Sequence, residues 1–204
     1  MSLQEEIKRK LFHILILILP ISYSFLTKKQ ILSLLIPFAV IVVLADFYRH
    51  KFIWLNNITN QIFAKIMRPR ELEGGLSGLS FTLIAASIVF SFAPKIVALN
   101  AFTILAISDS AASILGKRIK SDPFFEKTVV GSIVFAACAV VIVAFYGLLF
   151  NEGFLYYIFA LAAVFAATII EARPSLLGAD DNLTIPLTFF AVIMLFSIIW
   201  NYQY

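Results

Sequence analysis

The chain of 204 residues is 61% hydrophobic and only 14% charged, contains 21 phenylalanines, and has a mean hydropathy of +0.96. A water-soluble domain carries about a quarter charged residues, so this composition excludes an ordinary soluble fold and points to an all-α, polytopic membrane protein. The formal net charge of +4 does not indicate a nucleic-acid partner, because the basic residues flank apolar segments, where they report topology. The length suits one bundle spanning 1–204, without a separate soluble domain. The lone Cys138 sits within an apolar run, has no cysteine to pair with, and reads as a small packing residue.

A membrane-spanning helix needs roughly 20 mostly apolar residues. Seven stretches qualify in chain order: 7–26, 30–47, 76–93, 96–116, 129–150, 153–171 and 183–201. The first follows Lys8-Arg9-Lys10 and lacks a small-x-small cleavage site, so it reads as a retained helix. Between the second and third, residues 52–69 carry Leu55, Ile58, Ile62 and Ile66 at helical spacing, with Trp54, Phe63 and Met67 widening the stripe. This pattern predicts an amphipathic helix, lying in the membrane interface or packed on the bundle. With the N-terminus inside, 13 basic residues fall on the cytoplasmic side and three, Lys28, Lys29 and Lys95, on the other. The expected arrangement is therefore multi-pass, with the N-terminus and active site cytoplasmic and the C-terminus on the opposite side.

Ionisable residues inside apolar segments are costly and mark functional candidates. Asp109 is the sharpest, on a stretch where Asp109, Ser113 and Gly116 share one helical face that ends at Lys117-Arg118. A carboxylate, a groove without bulk and two cations suit a metal-bound polyphosphate. The same small residues would also serve as a helix-packing face. Near the N-terminus, Arg9 and His13 lie one turn apart with Lys10 beside them, and they read as topology anchors or as a site. Lys127-Thr128 followed by Gly131-Ser132 offers a cation, hydroxyls and backbone N–H groups at a helix start, suited to anion binding or to simple capping. No G-x-x-x-x-G-K-[ST] loop occurs. Glu171, Asp180, Asp181 and Asn182 crowd the sixth connection, as a solvated acidic turn or as metal ligands shared with Asp109.

Taken together, these segments resemble the CTP-dependent lipid-alcohol kinases, namely dolichol kinase, phytol kinase and the CTP-using diacylglycerol kinase, which are grouped with phosphatidate cytidylyltransferases. Arg9-Lys10-Leu11-Phe12-His13 is similar to the family's opening R-K-x-x-H. Arg70-Glu71-Leu72-Glu73 with Ser77-Gly78 resembles R-x-x-E and its downstream glycine, and Asp109-Ser110-Ala111-Ala112 through Gly116-Lys117-Arg118 resembles D-x-A-A…G-[KR]-[KR]. Lys127 to Ser132 resembles K-[ST]-x-E-G-S, with Val130 where the family commonly has Glu, so Glu126 or an acidic-loop residue would have to substitute for it. Asp181 to Pro186 resembles the closing D-N-x-x-[IV]-P. The motifs fall in order from residue 9 to 186, and the Lys-Asp and His-Gly-Gly elements of the cytidylyltransferases are absent.

The resemblance implies phosphoryl transfer from CTP to the hydroxyl of a membrane lipid alcohol, catalysed by positioning and charge neutralisation. It implies Mg²⁺ or a similar divalent cation on Asp109 and Asp181. The nucleotide falls to Arg9, Lys10, Gly116, Lys117, Lys127, Thr128, Gly131 and Ser132, and the chemistry to Asp109, Lys127 and His13. His13 or a carboxylate would take the alcohol proton, with Arg70, Glu73, Glu171, Asp180 and Asn182 in supporting places. One rival is CMP transfer to a lipid phosphate. A rival of another class is a small transporter or channel using Asp109 and Glu171, against which the charges gather at one membrane face.

Overall fold

Each apolar stretch folds as helix, and the turns between stretches carry the polar residues that end one rod and start the next. The computed structural model describes residues 3–63, 71 and 74–204. Helices α1 (Leu3–Ile14) and α2 (Ile18–Phe25) are joined by a 3-10 turn over Leu15–Leu17, and α3 (Lys28–Tyr48) and α4 (Ile53–Phe63) follow. Next come α5 (Gly78–Phe92), then α6 (Lys95–Thr103) and α7 (Asp109–Arg118), which run on through a π-helical turn over Ile104–Ser108. The last three are α8 (Val129–Leu149), α9 (Phe154–Ala172) and α10 (Asp181–Ile199). A short antiparallel hairpin precedes α8, β1 (Pro123–Phe124) pairing with β2 (Lys127–Thr128).

Helix starts follow from side-chain caps that satisfy otherwise orphaned N–H groups. Thr27 and Gln30 form a reciprocal capping box at α3, Ser77 accepts from Ser80 N–H at α5, and Asp180 accepts from Asn182 N–H at α10. Of the expected amphipathic helix over 52–69, the described part is α4, with Trp54 exposed as an interfacial side chain would be. Its C-terminal portion, including Ile66 and Met67, lies outside the described residues.

Among the described residues, five helices are long and apolar enough to cross a membrane: Lys28–Tyr48, Lys95–Arg118, Val129–Leu149, Phe154–Ala172 and Asp181–Ile199. The sequence led us to expect seven. Of the other two, Gly78–Phe92 has 15 residues, about 22 Å at 1.5 Å per residue, against a hydrocarbon core of about 30 Å. The N-terminal rod is interrupted by its 3-10 turn and is charged along α1.

The Lys95–Arg118 rod is the axis of the bundle, with 83% of its apolar window buried. Helices α1, α2, α5, α8 and α10 pack around it; α9 lies between α8 and α10, and α3 lies outside against α5. Buried Phe90, Phe102, Phe135, Phe159 and Phe189 fill the core. Phe25, Phe92, Leu148, Phe154 and Ile198 point outward, an apolar surface that suits lipid and would be a liability in water.

The two ends of the bundle differ. At one, Lys95 Nζ donates to the carbonyls of Ser24 (3.1 Å) and Leu26 (3.3 Å), and Tyr202 bonds Glu152 (2.8 Å). At the other, charge is buried. Arg49, 1% exposed, forms an ion pair with Asp46, Nε lying 2.8 Å from Oδ1, and donates to the carbonyls of Glu71 and Gly75. Asp46 Oδ2 accepts from Ser77 N–H and Ser80 Oγ. Gly78 then meets α10 so closely that a Cβ there would lie 2.6 Å from Asn182 Nδ2. This network fixes the start of α10 beside α3 and α5.

Candidate functional site

At that same end, the first turns of α8 and α10, the last turns of α7 and α9, and one face of α1 enclose a cavity of about 470 Å³. Its size is in the range of small-molecule sites. The wall includes Glu6, Arg9, Gly116, Lys117, Lys127, Thr128, Gly131, Glu171 and Asp181. Segments separated by more than a hundred residues thus meet in one place, and four of the five motif segments contribute to it.

Close helix contact makes the floor. A Cβ on Gly116 would stand 2.8 Å from Thr128 Oγ1 and 3.1 Å from Gly131 Cα, so α7 and α8 cross where neither has a side chain. Ala112 and Ser113 extend this small-residue face onto the cavity wall.

Lys127 is the centre of the charge arrangement. Its Nζ lies 2.8 Å from Glu171 Oε1 and 3.7 Å from Asp181 Oδ2. Burial alone would lower its pKa, but Asp109, Asp181 and Glu171 outweigh that and hold the ammonium above its ordinary value. Glu171 is 1% exposed, and its Oε2 has no hydrogen-bond partner.

Asp109 lies beneath the cavity and is 2% exposed. Its Oδ2 pairs with Lys10, itself 2% exposed, and lies 3.1 Å from His13 Nε2. The same Nε2 is 3.0 Å from the Leu105 carbonyl within the π-helical turn. Both neighbours are acceptors, which places the proton on Nε2. Lys10 and His13 therefore face Asp109 and not the cavity. Asp109 Oδ1 is buried without a partner.

On the other wall, Glu6 receives Arg9 at 2.5 Å on Oε1 and Lys117 at 2.6 Å on Oε2. The sequence reading passed over Glu6, although Glu6, Arg9 or Lys10, and His13 recur at i, i+3/i+4 and i+7 on one helical face. Thr128 Oγ1 accepts from Gly131 N–H at 3.1 Å, and Ser121 Oγ accepts from Val130 N–H at 3.2 Å, so those two hydroxyls cap α8. Ser132 is buried, its Oγ without a partner. Asp180 caps α10 and also holds Asn182 Nδ2 at 2.6 Å. Arg70 and Glu73 lie outside the described residues.

Among the described residues, five carboxylates, Glu6, Asp109, Glu126, Glu171 and Asp181, and four cations, Arg9, Lys10, Lys117 and Lys127, stand at or beneath the cavity. Leaving His13 aside, the carboxylates outnumber the cations by one. Among the described residues, no group of three or more His, Cys, Asp or Glu is placed to hold a metal ion unaided.

No family model matches the chain, and no solved structure matches it. Over 188 residues it is 31% identical to a protein of Rickettsia prowazekii (strain Madrid E) named "Uncharacterized protein RP860", the match covering 90% of this chain and 91% of that one.

Burial raises the pKa of Glu6, but hydrogen bonds and charge from Arg9 and Lys117 outweigh it, and the net shift is downward. A carboxylate lowered on folding contributes stability that is fully present above its unfolded range, about 4.3, and lost as pH falls through the folded value. In thermal unfolding of detergent-solubilised protein, the stability difference between wild type and Glu6→Gln should be constant above about pH 4.3 and shrink below it. A difference that grows on acidification would contradict this pairing.

Proposed function

The chain belongs to the family of the Rickettsia prowazekii protein RP860, and we propose that it transfers the γ-phosphoryl group of CTP to the hydroxyl of a membrane lipid alcohol. The observation that carries this reading is the convergence of separate charged motifs on one cavity at the end of an apolar bundle. A water-filled charged cavity beside lipid is what a reaction between a polar nucleotide and a membrane-dissolved alcohol requires. Cytidine as the base, and a lipid alcohol such as a polyprenol, phytol or diacylglycerol as acceptor, come from the family resemblance.

Phosphoryl transfer asks a protein mainly to position the reactants and neutralise charge. Arg9 and Lys117, both on the cavity wall, are placed to take phosphate oxygens in exchange for Glu6. Lys127 is placed to meet the transferred group while Glu171 and Asp181 keep it charged. Gly116 and Gly131 let α7 and α8 close into the floor on which the nucleotide would lie. Lys10 and His13 hold Asp109 in position and touch no reacting atom.

With carboxylates already in excess, a triphosphate would be repelled unless a cation came with it. Mg²⁺ commonly uses one or two protein carboxylates and fills its remaining positions with phosphate oxygens and water. Asp181 on the wall and the unpartnered Oδ1 of Asp109 beneath fit that pattern and would hold the ion. When bound, it would neutralise charge on the β- and γ-phosphates.

Seven crossings with the N-terminus and site cytoplasmic agree with the distribution of basic residues and put the cavity on the side that supplies CTP. In a Cys138→Ser background, Ser121→Cys should be protected from an impermeant thiol reagent in intact cells, and Lys95→Cys should react. The reverse pattern would remove the site from cytoplasmic nucleotide.

The direct test of the reaction uses purified protein, extracted lipids and CTP labelled at either phosphate. Lipid-extractable label should come from the γ-position alone. Label from the α-position would replace the kinase by a cytidylyltransferase, and no CTP consumption with any lipid alcohol or phosphate would leave the transport reading.

A further inference from the structure

A lipid hydroxyl becomes a competent nucleophile only if its proton has somewhere to go as the bond to phosphorus forms. We propose that Glu171 is the catalytic base that takes this proton on Oε2, an assignment that rests on the kinase reading above.

The acceptor must belong to a cavity-lining residue and have an oxygen not already engaged. Glu6 has Arg9 on one oxygen and Lys117 on the other. Glu126 is exposed at the rim, where its Oε1 accepts from Ser175 N–H and Oγ. Asp109 lies beneath the wall with Lys10 and His13 on Oδ2. His13 has its Nε2 engaged by Leu105 and Asp109 and does not line the cavity. Asp181 stands beside Lys127, where a divalent cation accompanying the nucleotide would sit.

Glu171 meets each requirement. It lines the cavity from the last turn of α9, is 1% exposed, and carries a buried Oε2 without a partner. Lys127 bonds the other oxygen at 2.8 Å, which fixes the carboxylate plane and sets base and phosphate-binding ammonium side by side. Leaving a buried carboxylate atom without a partner is costly, so such an atom in a cavity-lining residue points to a ligand. A hydroxyl is the complementary ligand, since it donates one hydrogen bond and adds no charge to an already anionic site.

The step balances as follows. The alcohol oxygen forms a bond to the γ-phosphorus while the bond from that phosphorus to the β–γ bridging oxygen breaks, and CDP leaves. The hydroxyl proton passes to Glu171 Oε2 and then to water in the cavity, giving one lipid phosphate, one CDP and one proton per turnover.

The test is steady-state transfer from γ-labelled CTP to dioleoylglycerol and to a short polyprenol, using full-length protein in lipid nanodiscs. Glu171→Gln should lower kcat by on the order of 10²–10⁴-fold, leave the KM for CTP within about twofold, and lose the acidic limb of the wild-type pH–rate profile. Glu171→Asp keeps the carboxylate, so it should retain that limb at an intermediate kcat. Calorimetric binding of CTP with Mg²⁺ reports whether each variant is folded. If Glu171→Gln fails to bind nucleotide, the limb in Glu171→Asp decides, and its absence overturns the proposal. Near-normal kcat in Glu171→Gln, or a loss confined to KM, overturns the role of Glu171 and leaves the kinase standing. Wild-type protein that transfers no γ-phosphate overturns both.

Discussion

A carboxylate inside an apolar bundle stays ionised only with a cation against it, and Asp109 meets that condition through Lys10, 99 residues away in sequence. Breaking such a buried pair by removing one partner costs about 3–5 kcal/mol, far more than an exposed pair contributes. The bond ties α1 to the central helix. With α1 fixed there, Glu6 and Arg9 fall on the cavity wall opposite Lys127, and Glu6 reaches Lys117 at the end of α7. His13 adds a second bond between the same elements at the π-helical turn. Such turns disturb the regular hydrogen-bond ladder and occur often near functional sites.

Around that anchor the bundle keeps its charged groups engaged with one another while holding some atoms open. Lys127 sits among Asp109, Glu171 and Asp181, and Glu6 sits between Arg9 and Lys117. Among the buried atoms left without a partner are Asp109 Oδ1, beneath the cavity, and Oε2 of the cavity-lining Glu171. An excess of carboxylates repels a bare polyanion more than one accompanied by a cation. The Asp46–Arg49 network does related work at the edge, since it seats Ser77 and Gly78 against the first turn of α10.

Local pattern carried much of this. Apolar run length places α3, α5, the Lys95–Arg118 rod, α8, α9 and α10 to within a few residues, because a long apolar run has one low-energy solution in lipid. Its shortfall is instructive. The run 76–93 contains a helix of only 15 residues, capped by Ser77 and ended at Ala93, and the run 7–26 is broken at Leu15–Leu17. Composition cannot show either feature. That Lys127, Glu171 and Asp181 come together was legible from charges at helix ends, and all three line the cavity. Partnership was not. Lys10 reads from sequence as a phosphate ligand and in the fold is the partner of Asp109, while Thr128 and Asp180 spend their oxygens as helix caps. Pairing across α1 and α7 is set by tertiary packing, which no local period encodes.

The central claim is that this cavity accepts a nucleoside triphosphate only together with a divalent cation. Isothermal titration of the purified protein in nanodiscs with CTP, once with Mg²⁺ and once with EDTA, tests it without requiring turnover or knowledge of the lipid. The account predicts saturable binding with Mg²⁺ that weakens by roughly tenfold or more, about 1.4 kcal/mol, in EDTA. Equal affinity in the two conditions, or no binding in the presence of Mg²⁺, would contradict it.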